Sequence, residues 1–125
     1  MTGNDLLLDT NAFIYFFEGR SRIAEHVLLA EKLYYSVITE IELLSAAHLT
    51  EDERTTIRAF LARCQRVELT PGIVERTIAL RRSGGIKTPD AIVAATALEL
   101  DVPLITADKR LSRISGLQVV ADILE

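Results

Sequence analysis

Residues 6–11 read Leu6-Leu7-Leu8-Asp9-Thr10-Asn11, an apolar run that ends on an acid. Three consecutive leucines are typical of a short strand that is covered on both faces, as strands in parallel sheets are. The position of Asp9 matters because residues just past the carboxyl ends of parallel strands gather in one crevice, where such folds bind ligands. This stretch therefore predicts both the kind of sheet and the edge at which a functional site lies.

The rest of the chain alternates predicted strands with predicted helices. The aromatic and β-branched run 34–38 predicts a second strand, and shorter runs predict strands at 65–69, 102–106 and 117–120. Helical patterns lie between them, including 39–47. Because parallel strands need crossover connections, we expect a three-layer α/β/α fold with a mostly parallel sheet of four to five strands.

Length and composition indicate an ordinary globular protein. The 125 residues suit one compact domain spanning 1–125, and the 49% hydrophobic and 26% charged content is that of a globular chain. No apolar run approaches the ~20 residues that span a bilayer, so no membrane association is expected. Cys64 is the only cysteine, which excludes an intrachain disulfide and favours a cytoplasmic location. The net charge of −4 argues against broad electrostatic coating of nucleic acid, although a local basic rim remains compatible with it.

Four acids stand where structured elements begin: Asp9, Glu42, Asp90 and Asp108. Two of them directly follow predicted strands, so chain order suggests that they meet at one edge of the sheet. Carboxylates crowded together repel one another unless a cation joins them, and oxygen ligands suit Mg²⁺. Neutral side chains that support such carboxylates are Thr10, Asn11 and Thr106. The pattern therefore favours a divalent-metal site.

Each acid also has a purely structural explanation. Asp9 and Asp108 precede helices and can cap them, and Thr39 with Glu42 forms a T-x-x-E capping-box pattern. Thr88 is the expected N-cap of the alanine-rich helix that follows it. Independent caps need not lie at the same edge of a sheet, however, so their common placement favours a shared site.

The reaction class follows from what accompanies the acids. The sequence offers no plausible Ser-His-Asp or Cys-His set and no glycine-rich phosphate loop. Carboxylates with Mg²⁺ or Mn²⁺ suit attack by water on a phosphodiester. Basic residues that flank the last two acids and can receive a polyanionic strand are Arg81, Arg82, Lys87, Lys109, Arg110 and Arg113.

Four segments resemble motifs of the PIN-domain nucleases, specifically the VapC-type toxins of bacterial and archaeal toxin–antitoxin pairs. They are 7–11 (Leu-Leu-Asp-Thr-Asn), 36–44 (Ser-Val-Ile-Thr-Glu-Ile-Glu-Leu-Leu), 89–97 (Pro-Asp-Ala-Ile-Val-Ala-Ala-Thr-Ala) and 104–109 (Leu-Ile-Thr-Ala-Asp-Lys). In the second segment, the resemblance selects Glu42 over Glu40, which points about 200° away around the helix. The segments occur in family order across nearly the whole chain.

The resemblance implies a PIN-like fold and a metal-dependent endoribonuclease acting as the toxin of a type II pair. Its four acids would be Asp9, Glu42, Asp90 and Asp108, with Thr106 assisting and Mg²⁺ or Mn²⁺ as the cofactor. The fourth acidic position, which Asp108 fills, is the most variable of the four in the family. An RNA substrate, a homodimer and a small VapB-type antitoxin are also implied. The side chains of Phe13, Phe16 and Phe17 fit either an antitoxin groove or ordinary core packing.

Three alternatives stay open. A PIN-domain nuclease that processes RNA without an antitoxin shares every motif. A PIN fold kept as a non-catalytic scaffold would be marked by a missing acid, and all four positions are acidic in this chain. A magnesium-dependent phosphatase of the haloacid-dehalogenase type would need a second acid two residues after Asp9, where this chain has Asn11.

Overall fold

The computed structural model of this protein describes residues 4–123. In that range the first half of the chain contains β1 (Asp5–Leu8), α1 (Thr10–Phe17), α2 (Ser21–Leu29), β2 (Lys32–Ser36), α3 (Val37–Leu44) and α4 (Glu51–Leu61). The second half contains β3 (Gln65–Val67), α5 (Pro71–Gly84), α6 (Thr88–Leu100), β4 (Leu104–Ile105), a 3-10 helix (Lys109–Arg113) and β5 (Val119–Val120). Strands and helices therefore alternate, as the sequence predicts.

Within residues 4–123, five strands form one sheet in the order β3-β2-β1-β4-β5, and every neighbouring pair is parallel. The chain adds strands on one side of β1 as far as β3 and then crosses to the other side at β4. The strand order thus reverses between β1 and β4, and open α/β sheets bind ligands beyond the carboxyl ends of strands at such a point. The predicted α/β/α fold with a mostly parallel sheet of four to five strands is confirmed.

Helices cover both faces of the sheet. Alternation along β1 places Leu6 and Leu8 in one apolar cluster, where they pack with Phe13 of α1 and with side chains of α2, α3 and α4. Leu7 lies in a second cluster with Val93 of α6. The leucines of β1 are all buried, which explains why this strand shows no polar alternation in its sequence.

The start of α3 differs from the prediction. Ser36 ends β2 and its hydroxyl accepts the backbone N–H of Ile38 at 3.1 Å, so the helix begins at Val37. The β-branched pair Val37 and Ile38 favours a strand by propensity, but the serine cap starts the helix ahead of them. Thr39 lies inside α3 and is fully buried, so its predicted role as the N-cap is wrong.

The junction between α5 and α6 also shifts a predicted cap. Gly85 ends α5 in the left-handed region with φ 66°, where glycine carries no steric cost. Lys87 occupies the N-cap of α6, and Thr88 and Pro89 are its first helical residues, so the prediction of Thr88 as N-cap is wrong. The helix begins earlier because proline fits its first turn, where the backbone N–H needs no partner within the helix.

The strand β4 is shorter than the predicted run 102–106. The N–H of Val102 donates to the carbonyl of Ala97 at the end of α6, and Pro103 has no N–H to donate. Pairing through backbone N–H groups therefore begins at Leu104. None of the helices in the described part of the chain has the length and apolar character needed to cross a membrane.

Candidate active site

The carboxyl ends of β1 and β4 hold their polar side chains next to one another. The backbone N–H of Asp9 donates to the carbonyl of Ile105 at 3.1 Å, which joins the two strand ends. Thr106 follows β4 and is fully buried. Its hydroxyl donates to the Asp9 carboxylate and accepts the backbone N–H of Asp108 at 3.0 Å. Thr106 therefore connects two of the predicted acids.

Burial governs the charge state of Asp9. Loss of solvent raises the pKa of its carboxyl from 3.8 to about 6, and the hydrogen bonds from Thr106 and from the backbone N–H of Ala12 only partly oppose this. The charges of Asp90 and Asp108 raise the pKa further. The 2.8 Å bond from Ala12 is the N-cap bond of α1, so Asp9 has both the predicted capping role and a place among the other acids.

Asp90 lies in the first turn of α6 and is half-buried. Burial is the main reason that its pKa is raised, and the negative charges of Asp108 and Glu42 add to the effect. Arg110 and Lys87 act in the opposite direction. Asp90 is therefore close enough to interact with an acid from α3 and with one from the segment after β4.

The two candidate glutamates of α3 point in different directions. The hydroxyl of Thr10, at the start of α1, donates to the carboxylate of Glu42 and lies 3.3 Å from the hydroxyl of Thr39. Glu40 instead pairs with Arg66 of β3 at 3.1 Å. The structure thus brings Glu42, and not Glu40, to the end of β1.

Asp108 caps the 3-10 helix and is held by an arginine within it. Its Oδ1 accepts the backbone N–H and the Nε–H of Arg110, both at 3.0 Å, and its Oδ2 accepts Nη2–H at 2.8 Å. The side-chain bonds from Arg110 are the main reason that the pKa of Asp108 is lowered. Spacing alone does not reveal this pair, because it depends on a tight turn that an α-helix would not form.

The structure brings the four predicted acids to one edge of the sheet: Asp9, Glu42, Asp90 and Asp108. Their donor atoms are all oxygens, which suits a hard divalent cation such as Mg²⁺ or Mn²⁺, and their mutual repulsion is what such a cation relieves. Across residues 4–123, however, no three acid, histidine or cysteine side chains are already arranged to hold a metal. Asp9, Glu42 and Asp108 are held by protein donors instead, so binding a cation at this cluster means exchanging those partners.

A cavity of about 700 Å³ adjoins the acids. Asp90 and Asp108 line one part of it, and the basic groups along its lining are Lys87, Arg110 and Arg113. Of the other predicted basic residues, Arg81 donates to the carbonyl of Ile86, while Arg82 and Lys109 are exposed away from the lining. The predicted neutral group Asn11 is also exposed.

A second groove, of about 500 Å³, lies on another part of the surface, between α1, α2 and α4. Phe16, Val27, Leu28 and Phe60 contribute to its apolar lining. Leu28 is 83% exposed, so most of its apolar surface faces solvent. Phe13 is fully buried beneath the aromatic cluster, whereas Phe16 and Phe17 are partly buried and pack against it, and Phe16 also lines the groove.

The sequence matches the family model for the PIN domain over residues 6–117. A comparison with curated protein sequences gives no match.

Several solved structures are similar along almost their whole length. A toxin–antitoxin complex from Klebsiella pneumoniae contains a chain with 32% identity and a TM-score of 0.80, over 92% of this chain and 95% of that one. VapBC-1 from nontypeable Haemophilus influenzae has 30% identity and a TM-score of 0.75, over 93% and 96%. VapBC2 from Rickettsia felis, bound to a promoter DNA fragment, has 22% identity and a TM-score of 0.82, over 93% and 97%.

Proposed function

This chain belongs to the PIN-domain family, in its VapC-type branch, and from that premise we propose that it is a metal-dependent endoribonuclease and the toxin of a type II toxin–antitoxin pair. PIN domains are nucleases, so nuclease activity is the expectation from family alone. The observation that carries the proposal is the interaction of Asp9, Glu42, Asp90 and Asp108 at the strand ends. Four carboxylates this close together repel one another, and a divalent cation would stabilise the arrangement.

Asp9, Glu42, Asp90 and Asp108 would hold Mg²⁺ or Mn²⁺ through their carboxylate oxygens. When bound, such a cation supplies Lewis-acid chemistry, which polarises the phosphodiester and makes the attacking water more acidic. Thr106 keeps the Asp9 carboxylate oriented through a hydroxyl that is closed off from solvent. The side chains of this protein would thus place fixed negative charges around the cation and keep them oriented toward the reacting phosphate.

The cavity beside the acids suits a single RNA strand. Lys87 and Arg113 supply positive charge for backbone phosphates, and Leu111 and Ile114 supply apolar surface for nucleoside faces. None of the described residues that line this cavity is aromatic, so stacking on a ring does not select bases there. Contacts of this kind favour binding through the sugar–phosphate backbone of the RNA.

A VapB-type antitoxin is the proposed partner, and the groove between α1, α2 and α4 is its proposed docking surface. Leu28 and the 69% exposed Leu29 extend the apolar lining that Phe16 and Phe60 provide. An amphipathic helix that places its apolar face in such a groove would cover these side chains. The relatives from Klebsiella pneumoniae and Haemophilus influenzae are components of toxin–antitoxin complexes, which supports the assignment.

We also propose that the chain forms a homodimer through α3, α5 and the segment that follows β3. Val74 and Ile78 lie one turn apart on α5 and are both exposed, as are Ile41 of α3 and Leu69 after β3. An isologous interface between two copies would bury this apolar surface.

Two of the alternatives lose support. Membership in the PIN family argues against a phosphatase of the haloacid-dehalogenase type. A non-catalytic scaffold does not explain why all four acidic positions are filled and close together. An RNA-processing nuclease without an antitoxin is separated from a toxin by co-expression with the neighbouring gene, since only a toxin loses its growth arrest.

The test is cleavage of labelled single-stranded RNA by the purified protein with Mn²⁺ and with EDTA. We expect internal cleavage only with Mn²⁺, and products with 5′-phosphate and 3′-hydroxyl ends, because water attacks phosphorus and the 3′-oxygen leaves. Cyclic phosphate ends, which arise from attack by the RNA 2′-hydroxyl, would contradict the proposed reaction.

The matched variants are Asp9→Asn and Glu40→Gln. Both remove one carboxylate near the same end of the sheet, but Glu40 pairs with Arg66 away from the other acids. Asp9→Asn should abolish cleavage, and Glu40→Gln should retain it. Full activity of folded Asp9→Asn protein would refute the assignment of the site.

A further inference from the structure

The guanidinium of Arg110 occupies both carboxylate oxygens of Asp108. Nε lies 3.0 Å from Oδ1 and Nη2 lies 2.8 Å from Oδ2, the fork-like geometry that arginine forms with carboxylates. Arg110 also interacts with Asp90 through its charge. One cation of the chain itself therefore stands beside two of the four acids.

The exposed position of Arg110 allows its side chain to dissociate from Asp108. Its side chain is 79% exposed, whereas that of Asp108 is 27% exposed, and the 3-10 helix that carries Arg110 has only five residues. An exposed ion pair contributes little net free energy, because solvent screens it and the long side chain loses freedom. A guanidinium held in this way is exchangeable.

We propose that Arg110 is a positioning residue that competes with a divalent cation for Asp108 and so sets the metal affinity of the site. The inference rests on the proposed function, since it assumes that Asp108 belongs to a metal site. In the metal-free protein Arg110 orients Asp108 and offsets its charge. When Asp108 turns to a cation, the guanidinium is left at the cavity lining beside Asp90, in the space where a substrate phosphate would bind.

Arg113 provides a matched comparison. It lies on the same 3-10 helix, carries the same charge and lines the same cavity. Among the ion pairs of residues 4–123, Asp108 pairs with Arg110 and not with Arg113. Replacing either arginine removes one positive charge near the acids, but only replacement of Arg110 removes a competitor.

The experiment measures Mn²⁺ binding by calorimetry, with full-length protein and without RNA. The proteins are the wild type, Arg110→Ala, Arg110→Lys and Arg113→Ala. We expect Arg110→Ala to bind Mn²⁺ about 1.5- to 5-fold more tightly than wild type, the range that an exposed ion pair supports. Arg113→Ala should stay near the wild-type affinity, and Arg110→Lys should fall between, because lysine cannot form the two-pronged contact.

A double-mutant cycle isolates the contact. In an Asp108→Asn background there is no carboxylate to compete for, so Arg110→Ala should have only the small effect of Arg113→Ala. An equal gain in both arginine variants, or weaker binding by Arg110→Ala, would overturn the inference while leaving the nuclease assignment intact if RNA is still cleaved. Failure of every protein to bind Mn²⁺ would overturn both.

Discussion

Replacing Asp9 with asparagine is expected to stabilise the metal-free protein while abolishing RNA cleavage. The folded state raises the pKa of Asp9 from 3.8 to about 6, chiefly through burial. At 1.36 kcal/mol per tenfold change in proton affinity, ionising this carboxyl in the folded protein costs up to roughly 3 kcal/mol above pH 6. Asparagine avoids this cost, and its side-chain oxygen can still accept the N–H of Ala12.

The pH dependence of the effect has a defined sign. Folding raises the pKa of Asp9, so its stabilising contribution is complete below about pH 4 and is lost as the pH rises through about 6. The free energy of unfolding of Asp9→Asn, minus that of the wild type, should therefore increase from about pH 4 to about pH 7 and then level off. The limiting change is the same ~3 kcal/mol.

The assay is urea denaturation in EDTA across this pH range. Taking the difference between two proteins cancels the titration of retained acids that do not interact with Asp9. Glu40→Gln is the control, because it removes a carboxylate that pairs with Arg66 outside the cluster. If the difference between Asp9→Asn and wild type is the same at every pH, burial does not raise the pKa of Asp9 and the reasoning is refuted.

Four further outcomes are expected. Glu42→Gln should lower the RNA cleavage rate about 100-fold or more, while Glu40→Gln stays near the wild-type rate; the reverse result would show that the other face of α3 is functional. Mn²⁺ at 100 times its Kd should raise the free energy of unfolding by about 2.7 kcal/mol, reversibly with EDTA, and an unchanged Tm would argue against a metal site. Thr106→Val should cost about 1 to 3 kcal/mol in denaturation experiments, because it leaves buried partners unpaired; unchanged stability would contradict its bridging role. Leu28→Glu should weaken antitoxin binding about tenfold or more by calorimetry without lowering stability, and unaltered affinity would exclude this groove.

Much of the fold is predictable because the central strand, β1, has a clear apolar pattern in the sequence. Leu6, Leu7 and Leu8 are covered on both faces, and continuous apolar residues are what that environment requires. The capping role of Asp9 is equally local, since an acid after a strand and before a helix satisfies free N–H groups. Features that depend on neighbours along the chain are therefore recovered from sequence.

Features that depend on competition between local signals are not recovered. Val37 and Ile38 favour a strand, yet Ser36 caps a helix ahead of them. The resemblance selects Glu42 over Glu40, but the partner of Glu40 is not predicted, because Arg66 lies 26 residues from it along the chain. The pairing of Arg110 with Asp108 needs side-chain geometry. The start of α3 and the pair of Asp108 with Arg110 depend on which local conformation forms, whereas the pair of Glu40 with Arg66 depends on contact between distant parts of the chain.

Because β1 lies at the centre of the sheet, the part of the site on β1 should unfold locally far less often than the part on the 3-10 helix. Leu7 and Leu8 lie on a strand paired on both sides, so their amide hydrogens should exchange with deuterium only when the whole molecule unfolds. The five-residue helix that carries Arg110 has few buried contacts, and its amides should exchange through local fraying. The strand β1 can thus hold Asp9 in a fixed position while the 3-10 helix changes conformation as different ligands bind. The sheet does not have to open for this change.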